Sequence, residues 1–303
     1  MTYKRQVCIL GILAAFLALA YAGSLIWSPD RLNARSAAYR WADPQRLAEA
    51  DRIAVRGERE FTLARKDGRW FIESGGAEYP AKESRIDGLL SLLSARSAYP
   101  VRGGAASHGR LGLTEGAASR ITVWGGGESV PILDLLIGGK DASGREVYLR
   151  KSGQDEVRSG EDQFSALSGG DLKGWYDLRL FADAPGLDGV QRVTVTGPDA
   201  ALVVARHQSG WTVNDIAQES LDGVKIEPYI RSILDAEGDD FTAVEPVFSQ
   251  GRIRVEFGDG SIREITLGPE RTAAVSGSPY CYVLTEWTLN RIVRDAAYFA
   301  KPE

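Results

Sequence analysis

Two stretches of this chain carry one pattern at an offset of 140 residues. Residues 52–57 read Arg52-Ile53-Ala54-Val55-Arg56-Gly57, and residues 192–197 read Arg192-Val193-Thr194-Val195-Thr196-Gly197. The match continues: Trp70 answers to Trp211, and the stripe Ile86, Leu89, Leu90, Leu93 answers to Ile226, Tyr229, Ile230, Ile233. Farther on, Ile121-Thr122-Val123-Trp124 answers to Ile253-Arg254-Val255-Glu256, and Val147-Tyr148-Leu149 to Cys281-Tyr282-Val283. A long-period repeat means that one folding unit is used twice, which limits the fold more than composition does. The expectation is two tandem copies of one lobe, with Trp70, Trp211, Ile86 and Ile226 as matching structural anchors.

Within each copy the periods name the elements. Phe61 to Arg65, a turn at Lys66-Asp67-Gly68-Arg69, and Trp70-Phe71-Ile72 predict a β-hairpin closed by an Asp-Gly signal. Ala201 to Arg206, His207-Gln208-Ser209-Gly210 and Trp211-Thr212-Val213 repeat it. Apolar residues at i, i+3, i+4 and i+7 then predict a helix from about Lys82 to Arg96, and a partner from about Lys225 with Pro228 in its first turn. Strands are expected at 120–124, 130–137 and 146–151, and again at 252–257, 262–267 and 280–284, with a short helix ending each copy. Gly125-Gly126-Gly127, Gly138-Gly139 and Gly258-Asp259-Gly260 read as hairpin turns, because none opens a helix as a phosphate loop or dinucleotide fingerprint would. The fold class is α+β: two tandem antiparallel-sheet-plus-helices lobes behind one N-terminal transmembrane helix.

That helix is read from Val7 to Trp27, 21 residues without a charge, preceded by Lys4 and Arg5. At about 1.5 Å per residue the run spans a hydrocarbon layer of about 30 Å. Two readings compete, an uncleaved anchor and a signal peptide cut near Ala20-Tyr21-Ala22. The run continues through Leu25, Ile26 and Trp27, which favours the anchor; either reading exports the rest. The domain plan is an anchor at 1–29, a juxtamembrane linker at 30–49, a first lobe at 50–180 and a second at 188–303.

Cys8 lies in the apolar run, so Cys281 stands alone beyond it and forms no internal disulfide; it reads as a small buried residue of a strand. Of 36 basic residues Lys4 and Arg5 precede the run, leaving 34 against 41 acidic. That balance argues against nucleic acid as a partner and against a polybasic grip on lipid. Chemistry-bearing patterns are sparse. His108 and His207 fall in different copies, and no Gly-x-Ser-x-Gly elbow is present. No His-x-x-x-His, Cys pair or calcium-loop spacing is present either. The acidic run Glu237-Gly238-Asp239-Asp240 reads as a solvated turn after a helix. No catalytic, cofactor-binding or metal-binding residue is assigned.

Several features together resemble one bacterial family. They are the N-terminal apolar run, the hairpin Gly68-Arg69-Trp70-Phe71-Ile72, the Leu-rich helix, and the loop Arg110-Leu111-Gly112-Leu113. The stretch from Gly138 to Arg150 and a second Trp-bearing copy complete the order. This order resembles domain of unknown function 4340, although Leu111 stands where many members have Tyr. Members are commonly encoded beside ABC-type transport components of the gliding-motility kind. The resemblance therefore implies a non-enzymatic, inner-membrane-anchored auxiliary component with its bulk in the periplasm, in contact with such a complex and without a cofactor. Two other readings are a binding domain for a cell-wall or polysaccharide ligand between the lobes, and an envelope hydrolase. An apolar patch on one lobe and not the other would favour the first.

Overall fold

Strands of alternating residues pair into two separate sheets in the computed structural model, which describes residues 17, 21, 39–169, 171–198, 201–246 and 250–301. The chain divides into one unit ending at Trp175 and another beginning at Tyr176. The predicted anchor lies outside the described residues except for Leu17 and Tyr21, both helical and exposed. Among the described residues no helix is long and apolar enough to cross a membrane.

The first unit runs α1 (Pro44–Ala48), β1 (Ala50–Arg56), β2 (Glu60–Lys66), β3 (Arg69–Ser74), β4 (Ala77–Pro80), α2 (Glu83–Ser94) and β5 (Val101–Gly103). It continues with β6 (Ser119–Gly125), β7 (Leu133–Lys140), β8 (Glu146–Lys151), β9 (Val157–Glu161) and α3 (Gln163–Gly169), and a 3₁₀ turn, Leu172–Trp175, ends it. The second runs β10 (Val190–Thr196), β11 (Ala201–His207), β12 (Gly210–Val213), β13 (Ile216–Ala217), α4 (Ile226–Leu234) and β14 (Asp240–Thr242). Then follow β15 (Gly251–Phe257), β16 (Ile262–Leu267), β17 (Thr272–Val275), β18 (Cys281–Val283), α5 (Glu286–Ile292) and the 3₁₀ turn Ala296–Phe299.

Among the described residues each unit forms one nine-stranded antiparallel sheet, in the orders β4-β3-β2-β1-β6-β7-β8-β9-β5 and β13-β12-β11-β10-β15-β16-β17-β18-β14. The two orders coincide strand for strand. So do the registers: Arg52 opposes Trp124 and Val55 opposes Ile121, as Arg192 opposes Glu256 and Val195 opposes Ile253. A register shift falls at the same point in each copy, between Ala50 and Arg52 and between Val190 and Arg192. In each unit the chain reaches one sheet edge at β4 or β13, and the segment holding α2 or α4 carries it to the opposite edge at β5 or β14. Ile86, Leu89 and Leu93 of α2 are fully buried, each contributing about 1.5–3 kcal/mol by leaving water. Ile226, Tyr229, Ile230 and Ile233 do the same for α4, in one apolar cluster with Trp211.

The equivalence extends past the helices that end each copy. Lys82 N donates to the Trp175 carbonyl at 2.7 Å, and Asp222 N to the Phe299 carbonyl at 2.9 Å, so both units close with a fully buried aromatic. The order also corrects one expected match. Val147-Tyr148-Leu149 lie in β8, whose counterpart is β17; Cys281-Tyr282-Val283 form β18, the counterpart of β9. The unexpected β17 reads Thr-Ala-Ala-Val, four residues with two alanines at the centre, too short to signal a strand.

Gly138-Gly139 is likewise not a hairpin turn. Both residues lie inside β7, where the register with β8 shifts between Ile137 and Lys140. A Cβ at Gly138 would strike the Leu111 carbonyl and the Leu113 side chain, so this bulge exists where a loop backbone presses on the strand. The span 30–49, expected as linker, is described from residue 39, and that part belongs to the first unit. Trp41 is fully buried, with edge-on contacts to Tyr39 at 5.0 Å, Tyr99 at 5.2 Å and Phe164 at 6.3 Å between ring centroids.

Candidate functional site

Residues of alternate parity along each strand face away from the buried side, and the register lines them into rows across the sheet. In the first unit Pro80 opposes Phe71, Phe71 opposes Ala64, Ala64 opposes Arg52, and Arg52 opposes Trp124. The neighbours of Phe71 along β3, Trp70 and Ile72, are buried, as is Val123 before Trp124, whereas Phe71 and Trp124 are half-buried. These two aromatics therefore lie on the outer face. The Arg52 guanidinium stacks on Trp124 at 4.3 Å from the ring centroid. The corresponding row of the second unit reads Ala217, Thr212, Ala205, Arg192, Glu256. Two lobes of one topology thus differ on this outer row: Thr212 stands where Phe71 does and Glu256 where Trp124 does.

A second difference lies beyond β6. Residues 104–118, joining β5 to β6, fold over the outer side of β7 to β9, and their Leu111 and Leu113 cluster with Leu136 and Val157. Gly139 N donates to the Leu111 carbonyl at 2.9 Å. Arg150 fastens the loop from below, buried at 5% exposure. Its Nε and one terminal nitrogen donate to the Leu113 carbonyl at 3.3 and 3.0 Å, the other terminal nitrogen to Gln154 at 3.0 Å, and it pairs with Glu115 at 3.1 Å. Glu115 also meets Arg120, whose guanidinium forks onto Asp134. Burial pushes the Asp134 carboxyl up, but the hydrogen bonds and charge of Arg120, with Thr122 and Ser152, outweigh it and hold the group below its ordinary value. The Arg120–Asp134 pair has a counterpart in Arg252–Glu264 at 3.2 Å, whereas the loop that Arg150 holds has none of its length, since 243–250 join β14 to β15. The resembling segments, Arg110 to Leu113 and Gly138 to Arg150, thus meet in one packed corner.

The second unit carries a cavity of about 480 Å³ beside the end of α4. Arg179, Arg231, Asp235 and Glu237 supply its charges, and Phe181, Leu187 and Leu234 its apolar wall. Arg179 is held in a two-pronged pair by Asp177.

The sequence candidates fall apart in space or into structural roles. His108 belongs to the first unit, where Nε2 donates to the Asp155 carbonyl at 2.9 Å and helps fasten the 104–118 loop. His207 belongs to the second unit and is the last residue of β11, opposite Gly210, instead of a turn residue. Along Glu237 to Asp240, the Gly238 and Leu180 amides bond to the Leu178 and Ala236 carbonyls, tying the segment to the chain at 178–180. Among the described residues no three of His, Cys, Asp and Glu are grouped to hold a metal ion. Trp70 and Trp211 occupy the same position on β3 and β12, and Ile86 and Ile226 the same position on α2 and α4, all four buried. Cys281 is half-buried between Thr242 and Ala274; burial, and then the charge of Glu245, push its thiol up. Alkylation by iodoacetamide near pH 7.5 is accordingly expected to be slower than for free cysteine and to accelerate above the usual thiol range. Rapid labelling at neutral pH would contradict that environment.

The outer row was not singled out from sequence. Period 2 puts Phe71, Ala64, Arg52 and Trp124 opposite the core, but only the register makes them neighbours.

The family model described as Domain of unknown function (DUF4340) matches residues 70–250, more than half of the chain. No curated protein and no solved structure matches.

Proposed function

The chain belongs to the family described as Domain of unknown function (DUF4340), and from that premise we propose that it is a non-enzymatic, membrane-anchored auxiliary component of an ABC-type transport or envelope system, with its bulk in the periplasm and protein contacts as its means of action. The observation that carries the reading is the lobe asymmetry: Phe71 and Trp124 on the outer face of the first sheet against Thr212 and Glu256 on the second. Nothing in the topology requires that difference, since both sheets are built with one order and one register. An aromatic pair half-exposed on a sheet face loses water contact when a partner covers it, which is the usual energetic basis of an interface. The ABC-type partner is the part of the reading that rests on the family resemblance, and the inner-membrane anchor rests on the run Val7 to Trp27.

Tethering explains how a small face can suffice. An anchor confines the lobes to a thin layer beside a membrane partner, so even a weak interface stays occupied, and that advantage disappears on release. The test is complementation of a chromosomal deletion together with the size of the complex in native gels of solubilised membranes. Phe71→Glu with Trp124→Glu, and separately removal of residues 1–27, are expected to abolish both. His108→Gln, His207→Gln, Cys281→Ser and the second-lobe control Thr212→Glu are expected to preserve both. Loss of complementation by His108→Gln, with folding and localisation unaltered, would overturn the non-enzymatic reading.

A further inference from the structure

Resting on that docking reading, we infer that the outer row of the first sheet receives an amphipathic α-helix of a partner protein, laid across the strands, with one carboxylate in its apolar stripe that meets Arg52. The row crosses five strands, β4, β3, β2, β1 and β6. At about 4.8 Å between strands, five strands present a track of about 19 Å. An α-helix of about 13 residues has that length.

The shape of the track selects a helix. Ala64 separates Phe71 from Arg52 and Trp124, and the adjoining row holds Thr62 and Ala54, so small residues leave a shallow depression between the two aromatics. An extended peptide laid on a sheet face finds no ladder hydrogen bonds there and would leave its own backbone groups unpaired as water is excluded. A helix satisfies its backbone internally and offers side-chain ridges to the depression.

Charge selects what that helix carries. The nearby cations are engaged: Arg56 with Glu60, Lys66 with Glu73 and Glu78, and Arg120 with Asp134 and Glu115. Among the described residues Arg52 forms no ion pair; its contact is the face of Trp124. A guanidinium stacked through its face keeps its in-plane N–H donors for other partners, and Arg52 is exposed, so a carboxylate can accept from it in bidentate fashion. A partner that covered Arg52 without supplying that carboxylate would bury an uncompensated charge.

The experiment places p-benzoylphenylalanine at position 71 or 124 of the full chain in native membranes and maps the crosslinked segment by mass spectrometry, with positions 212 and 256 as controls. The expected result is one protein, reached from 71 and 124 and not from the controls, through one helical segment carrying an Asp or Glu. Arg52→Glu is expected to lower the yield about tenfold, the scale of a lost close charge pair. Replacing the partner's carboxylate by Lys in the Arg52→Glu background is expected to restore the yield, which a folding defect would not allow. Crosslinks to an extended or loop segment, adducts to a second copy of this chain, or yields indifferent to Arg52→Glu would overturn the helix inference and leave the docking face standing. Adducts to lipid alone, no adduct from 71 or 124, or equal adducts from 212 and 256 would overturn the docking reading itself.

Discussion

Trp70→Ala and Trp211→Ala are each expected to destabilise their own lobe by about 3–5 kcal/mol, the range for removing a buried tryptophan. The two side chains are 7% and 6% exposed, at the same register position of matching hairpins: Arg65 opposes Trp70, and Arg206 opposes Trp211. Trp211 should lie at the costlier end. The Arg206 guanidinium stacks on its ring at 4.5 Å, and Arg206 Nε is already buried without a hydrogen-bond partner, so truncation removes the surface that compensates that burial. Trp211→Phe retains an aromatic face and should recover a good part of the loss. Chemical denaturation measures the size, and hydrogen exchange resolved by peptide tells which lobe opens. Near-wild-type stability of either alanine variant would mean that the residue is not a core anchor.

The same pair shows what was legible in the sequence and why. A Trp in a hairpin beside an Arg, repeated at one spacing, survives as a signal because a large buried side chain and a tight Asp67-Gly68 turn each demand particular residues. Both turn positions take positive φ, 51° and 84°, as a two-residue hairpin turn requires. The central strands β1 and β6, with β10 and β15, were legible for a related reason, since each alternates β-branched residues buried at 0 or 1% exposure. Short edge elements gave no such signal. Thr272 to Val275 forms a strand because β16 and β18 flank it, not through its own composition, and its omission displaced the expected match of Val147 with Cys281. Trp41 was unreadable for the opposite reason: apart from Tyr39, two residues away, its partners Tyr99 and Phe164 come from distant segments, and no local period links them.

The outer face was half legible. Parity along each strand separates Phe71 from Trp70 and Trp124 from Val123, but a row across five strands depends on pairings between residues up to tens of positions apart. The asymmetry between lobes then appears only when equivalent residues are compared in register. Gly138-Gly139 carried a readable signal that was assigned to the wrong cause. Glycine within an otherwise apolar strand pattern marks a bulge or a close backbone approach as readily as a turn, and here the approach is that of Leu111 to Leu113.

Removing the side chain that holds that corner should be about as costly as removing a core tryptophan. Arg150→Ala is expected to destabilise the first lobe by about 2–5 kcal/mol, because it withdraws a buried guanidinium and strands two loop carbonyls, while the pair with the half-exposed Glu115 adds little. The Leu113 carbonyl loses both donors at 3.0 and 3.3 Å, and the Gln154 carbonyl loses its donor at 3.0 Å. Glu115 keeps Arg120, so the cost falls on the two carbonyls more than on the carboxylate. Arg150→Lys separates charge from geometry: an ammonium can restore attraction to Glu115 but cannot reach two carbonyls and a carboxylate along a planar fork. It should therefore recover less than half of the loss. The damage should also be local, since Leu111 and Leu113 are held against Leu136 and Val157 by the loop that Arg150 fastens. Hydrogen exchange at residues 104–118 is expected to rise by orders of magnitude while β10 to β13 keep their protection. A variant that lost stability uniformly in both lobes, or an Arg150→Lys protein indistinguishable from wild type, would show that the fork does not hold the loop.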